Sequence, residues 1–130
     1  DIAPALTVRS TDAFGNLTPS FTGAVQLTLK DAGTAALLGT ATQNAVAGIA
    51  TFGDLKVQKA GTGYRLEATS GTRAPDTRAT FAITAAAAAQ LTTVAGASQT
   101  GVAGSVLATP LKVAVLDAFG NPVSGAIVRW

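Results

Sequence analysis

The chain has no cysteine, no histidine and no methionine among its 130 residues. Without cysteine there is no disulfide framework and no thiolate metal site, and the compartment stays open on that count. Without histidine the common nucleophilic triad lacks its base, so Ser10, Ser20, Ser70 and Ser124 read as ordinary polar residues. Charged residues make up 12% of the chain, about half the usual share of roughly 25%. Two-carboxylate chemistry would need a close acidic pair. Asp31, Asp54, Glu67 and Asp76 fall instead in separate turns or at outward strand positions, and no enzymatic activity is expected. The nine basic residues, from Arg9 to Arg129, are scattered and lack interleaved aromatics, which argues against nucleic acid as a partner. The longest strongly apolar stretch, Phe81–Ala89, is too short to span a bilayer, so no membrane insertion is expected of this segment.

What remains is 48% apolar, rich in Ala, Gly, Thr and Val, with a net charge of only +2. That composition can build a core of thin β-layers. The chain opens on Asp1 rather than Met, as a processed or excerpted chain does.

One word occurs twice. Asp-Ala-Phe-Gly-Asn stands at Asp12–Asn16 and again at Asp117–Asn121, each time after an alternating apolar run. Leu6–Asn16 matches Leu111–Asn121 at seven of eleven positions, at an offset of 105 residues. The chain therefore reads as a window on a tandem array. An Asp carboxylate can fold onto backbone N–H groups two residues on, and Gly and Asn tolerate positive φ, so each copy predicts a tight turn.

Alternation predicts strands at Leu6 and Val8, at Val25, Leu27 and Leu29, and over Thr40–Val46. Ala47-Gly48 predicts a tight turn after which Ile49–Phe52 returns as the partner of Thr40–Val46. Leu55 and Val57 continue inward. Tyr64, Leu66 and Ala68 form a further strand, Ser70–Thr77 a loop, and Arg78–Thr84 a last strand with Phe81 and Ile83 inward. The predicted core is Leu6, Val8, Val25, Leu27, Leu29, Leu55, Val57, Leu66, Phe81 and Ile83. Ala85–Ala89 is a linker or strand lead-in, with a helical hinge as the sharper alternative. Beyond it lie a strand at Leu91–Ala95, a Gly-rich connection, a strand at Val106–Leu116 with Pro110 near its start, the second turn, and a strand beginning at Ala126–Trp130. Many short strands with turns between them indicate an all-β sandwich.

The domain boundaries follow from comparing the two copies. Residues 1–84 form one sandwich without its first strand, 85–89 the linker, and 90–130 the first three strands of a second repeat. Apolar edges left open at either end would be covered by neighbouring repeats or, by strand complementation, by other copies.

The two turns, Gly48-Ile-Ala-Thr-Phe-Gly-Asp-Leu55, Gly61-Thr-Gly-Tyr-Arg-Leu-Glu-Ala68 and Asn121-Pro-Val-Ser-Gly125 together resemble the bacterial immunoglobulin-like repeats of invasin/intimin-type surface proteins. The resemblance implies an immunoglobulin-like Greek-key sandwich in tandem repeats. It also implies export to the bacterial cell surface and a structural role as spacer in adhesin stalks. The alternatives are a ligand- or glycan-binding module or a strand-donating filament subunit.

Candidate site residues are few. Asp12/Asn16 and Asp117/Asn121 offer oxygens that suit calcium, but each turn has one carboxylate where calcium wants six to eight ligand oxygens. Turn chemistry is the competing account, and no cofactor is assigned. Phe14 and Phe119 are expected to plug the end of the sandwich. Tyr64 is either a glycan-stacking ring or a corner tyrosine whose hydroxyl bonds back to the main chain. Trp130 is expected to point inward against Val113 and Val115. Exposure of two of Phe21, Tyr64 and Trp130 on one face would favour ligand binding, and burial of all three would count against it. Gly61-Thr62-Gly63 lacks the Lys and helix of a phosphate loop.

Overall fold

Leu6 and Val8 alternate with Thr7 and Arg9, and the chain there is strand β1 (Leu6–Arg9). The computed structural model describes residues 2, 4–77 and 80–129. All regular structure among them is β, and no helix is present. The chain divides into two compact units, Asp1–Ile83 and Thr84–Trp130.

The first unit holds β1, β2 (Ala24–Lys30), β3 (Thr42–Asn44), β4 (Ile49–Phe52), β5 (Gly61–Thr69), β6 (Asp76–Thr77) and β7 (Phe81–Ile83). β1 and β4 make a two-stranded antiparallel sheet with Leu6 opposite Phe52 and Val8 opposite Ala50. The other sheet runs β3-β2-β5-β6, and β7 also pairs with β5. Its central pair sets Leu27 against Ala68 and Leu29 against Leu66. The period-2 pleat sends these side chains to one face. There Val25, Leu27 and Ala68 meet Val8, Ala50 and Phe52 from the smaller sheet, with Ala45 and Leu55 completing the core. This arrangement is consistent with a β-sandwich. The outer face of the larger sheet carries ion pairs, Lys30 with Glu67 at 2.9 Å and Arg65 with Asp31 at 2.6 Å.

The register differs from the sequence expectation at the Ala47-Gly48 turn. That turn forms, with φ of 49° and 79°, and Val46 and Ile49 exchange main-chain hydrogen bonds across it. It does not continue into a hairpin. β3 pairs with β2, while β4 pairs with β1, so the chain changes sheets at this corner. The cause is the inward set Ala50 and Phe52, which is buried against Leu6 and Val8 rather than beside β3. Gly48 is required here because a Cβ would lie 2.5 Å from the Thr18 carbonyl oxygen. Its N–H donates to Phe21 O and its carbonyl accepts from Ser10 N–H.

The core also differs in membership. Phe52, Ala45, Ala50, Tyr64 and Ala68 are buried, whereas Leu6, Leu29, Val57, Phe81 and Ile83 are only partly so. Ala45, Ala50 and Ala68 share one buried cluster with Phe52. The Ser70–Thr77 loop ends in the two-residue strand β6, which pairs Glu67 with Thr77 and Ala68 with Asp76. Arg78 and Ala79, at the start of the expected last strand, lie outside the described residues.

The second unit is built on β8 (Ala88–Ala95) and β9 (Lys112–Asp117), paired antiparallel. No helix forms in the alanine run, and Ala88 and Ala89 belong to β8. The expected strand at Val106–Leu116 is shortened to β9. The Gln99 side chain clamps the preceding segment, donating to Gly96 O and Thr109 O and accepting from Thr109 N–H. Pro110 brings no N–H, so the ladder starts only after it. Residues 126–129 form no strand. The β9 edge on that side is met by Val123, whose N–H donates to Val115 O, and nothing among the described residues pairs with 126–129. Trp130 lies outside the described residues.

Candidate functional site

Both pentapeptides close the same way. At the first, Asp12 N–H donates to Asn16 O at 2.9 Å and Gly15 N–H to Asp12 O at 3.1 Å. At the second, Asp117 N–H donates to Asn121 O at 2.9 Å and Gly120 N–H to Asp117 O at 3.2 Å. Gly15 and Gly120 take φ of 86° and 80°, the left-handed region where glycine is at no steric disadvantage. The strands flanking each turn are bridged at Thr11–Leu17 and at Leu116–Pro122.

The carboxylates serve the turns. Asp12 Oδ1 accepts from the N–H groups of Phe14 and Asn16, both at 2.9 Å, and Oδ2 from Asn16 Nδ2 at 3.1 Å. Asp117 Oδ1 accepts from Phe119 and Asn121 N–H, and Oδ2 from Asn121 Nδ2 and from Ala86 N–H at 2.9 Å. The environments differ: Asp12 and Asn16 are exposed, while Asp117 and Asn121 are buried. The Asn16 side chain, with main-chain donors behind it, holds the Asp12 carboxyl below its ordinary value. At Asp117 burial works to raise the pKa. The hydrogen bonds from Asn121, Ala86 and Phe119 outweigh it, and the group titrates at about 2. Among the described residues no group of three or more His, Cys, Asp or Glu side chains gathers to hold a metal ion. A divalent cation would have to strip the turn of the donors that make it.

Phe14 and Phe119 do not plug the sandwich. Phe14 is 90% exposed and Phe119 54% exposed. Each N–H is aimed back at the Asp carboxylate two residues earlier, and that inward-facing backbone leaves the ring on the outside of the turn.

Tyr64 is buried, and its hydroxyl donates to Lys59 O at 3.2 Å. The ring leans on Phe81 at 5.9 Å between centroids. Gly61 makes room, since a Cβ there would sit 2.5 Å from the phenol oxygen. Gly63, at φ 78°, lies within a β-bulge that shifts the β5–β7 register. This is the geometry of the corner tyrosine, and the ring is not presented for stacking. Phe21 is half-buried, with the Arg73 guanidinium 4.1 Å above its ring.

The other candidates are dispersed. Ser10 Oγ accepts from Thr18, and Ser70 Oγ donates to Ala24 O. Asp54 clamps the N–H and hydroxyl of Thr40, whose side-chain bond leads in lowering the Asp54 pKa. Asp31 is ion-paired with Arg65, and Glu67 with Lys30, on the outer face. Sequence reading missed a groove of about 590 Å³ in the first unit, whose walls include Val8, Asp12, Phe21, Ala68, Ser70 and Arg73. It forms between β1 and the β5–β6 edge, segments far apart in the chain, so no local pattern announces it.

No family model, no curated protein and no solved structure matches this chain.

Proposed function

We propose that this chain is a structural spacer, a pair of successive immunoglobulin-like Greek-key repeats from the stalk of a large extracellular bacterial surface or adhesin-like protein. One observation carries the reading. The same hydrogen-bonded turn recurs after 105 residues, and in both copies the carboxylate oxygens are engaged in holding the chain. A polar word repeated for chemistry would keep ligand positions open. A word repeated for architecture fixes a corner, and that is what both copies do.

The work of such a module is mechanical. The first unit buries a core of its own, and in a repeat array of this kind length comes from the number of copies. The neighbouring repeats of the same polypeptide are the expected partners.

Small-angle scattering of a polypeptide carrying several tandem copies of residues 1–105 tests this. A maximum dimension that grows linearly with copy number is expected. A compact particle whose radius of gyration scales as a single globule would refute it.

A further inference from the structure

Five alanines run from Ala85 to Ala89. Alanine has the strongest helix preference of any residue and is depleted in strands. The run is nevertheless not helical: Ala88 and Ala89 open β8, and residues 84–87 form no helix. Its methyl groups offer little apolar surface to bury. Local preference and observed state conflict here, and something outside the run must decide between them.

The β8–β9 ladder reaches the run only in part. Gln90, Leu91, Thr92 and Thr93 stand opposite Leu116, Val115, Ala114 and Val113, and the register shifts between Ala88 and Gln90. Beyond the shift Ala88 stands opposite Asp117. The main chain of Asp117 serves the turn, with its N–H donating to Asn121 O and its carbonyl accepting from Gly120 N–H. What Asp117 extends to the run is its side chain. Oδ1 accepts from the N–H groups of Phe119 and Asn121. Oδ2 accepts from Asn121 Nδ2 and, across 31 residues of sequence, from Ala86 N–H at 2.9 Å. Among the described residues no other hydrogen bond reaches residues 84–87. The carboxylate is wholly buried, so water does not compete for it, and a hydrogen bond to such a charged acceptor is among the stronger ones.

We propose that Asp117 is a conformational latch in which Oδ1 makes the turn and Oδ2 holds the alanine run extended against its own helical preference. The run has a held and a released state, and the bond from Ala86 selects between them. An asparagine at this position would still make the turn, because one oxygen receives both Phe119 and Asn121 N–H. It would meet Ala86 N–H with a second donor. A side-chain amide such as that of Asn121 can rotate to suit the change, and a main-chain N–H cannot. The negative charge is therefore required by Ala86 and not by the turn. This device goes beyond the spacer reading and does not depend on it.

The test uses the ¹⁵N,¹³C-labelled chain of 130 residues. In the parent, hydrogen exchange at the Ala86 amide should be slower than at Ala87 by at least about tenfold, the worth of one hydrogen bond to a charged group. In Asp117→Asn that difference should vanish, and the ¹³Cα shifts of Ala85–Ala88 should leave extended values toward coil and helical ones. The Gln90–Thr93 ladder and the amides of Phe119 and Asn121 should keep their protection. Equal exchange at Ala86 and Ala87 in the parent would overturn the proposal, whatever the variant does. So would unchanged ¹³Cα shifts in Asp117→Asn. Loss of ladder protection together with the run would also overturn it, since the charge would then be a condition of the fold and not a latch.

Discussion

Replacing Gly61 by alanine places a methyl group 2.5 Å from the Tyr64 phenol oxygen and 3.0 Å from the ring carbon that bears it. Ordinary contact between such atoms is roughly 3.5 Å or more, so the methyl overlaps the phenol by about 1 Å. The ring cannot swing aside freely, because it is 5% exposed and rests on Phe81. Overpacking of this kind costs about 1–3 kcal/mol. Replacing glycine stiffens the unfolded chain and returns about 0.4–1 kcal/mol. The net expectation for Gly61→Ala is a loss of about 1–2 kcal/mol.

Tyr64→Phe removes the hydrogen bond to Lys59 O and should cost about 0.5–1.5 kcal/mol. It also removes the oxygen that the new methyl would strike. The double variant should therefore be more stable than the sum of the single losses by about 1 kcal/mol, a coupling well above the scatter between independent sites. Urea unfolding followed through the amide resonances of β1 and β4 reports on the first unit, with an unchanged m-value as the check on two-state behaviour. Additivity within about 0.3–0.5 kcal/mol would refute the placement of the phenol against Gly61.

Three further outcomes follow from the same contacts. Asp117→Ala strips four donors, one of them Ala86 N–H, of a buried acceptor. It should collapse the amide dispersion of β8 and β9 toward random-coil positions, while Asp12→Ala, at an exposed turn, should leave β1 and β4 intact by the same spectrum. Asp117 titrates at about 2, below the ordinary 3.8, so its stabilisation is full above about pH 4 and is lost as pH falls through the folded value. Carboxyl ¹³C shifts should show it still ionised at pH 3, with β8 still docked. Phe52→Ala should cost about 3–5 kcal/mol in chemical denaturation, whereas Phe14→Ser, at a ring 90% exposed, should stay within about 0.5 kcal/mol of the parent.

Three of the strands were legible, because β1, β2 and β5 alternate cleanly and Gly or Asp punctuates their ends, whereas the apolar residues at 126–129 announced a strand that does not form. Their pairing was not. Ala47-Gly48 announces a tight turn, yet a turn fixes only the next bond, and the burial of Ala50 and Phe52 decides which sheet the chain joins. Ala45 and Ala50 are too small to declare themselves as core. The turn chemistry of both pentapeptides could be read from Asp, Gly and Asn, but the outward rings of Phe14 and Phe119 could not, since hydrophobicity argues for burial and the main chain overrules it. The difference in burial between Asp12 and Asp117 depends on Ala86, a residue that nothing local singles out. The Gln99 clamp, which shortens β9, joins segments ten residues apart that carry no pairing signal of their own.

The pairing of β1 with β4 also sets an order of events during synthesis. Leu6 has no ladder partner until Phe52 has left the ribosome, and Leu27 none on β5 until Ala68 has followed. At about 5–20 residues per second the first strand waits on the order of seconds. Through that interval the emerged chain displays alternating valine and leucine with few aromatic residues and many threonines. The first unit can be completed only when nearly all of it is present.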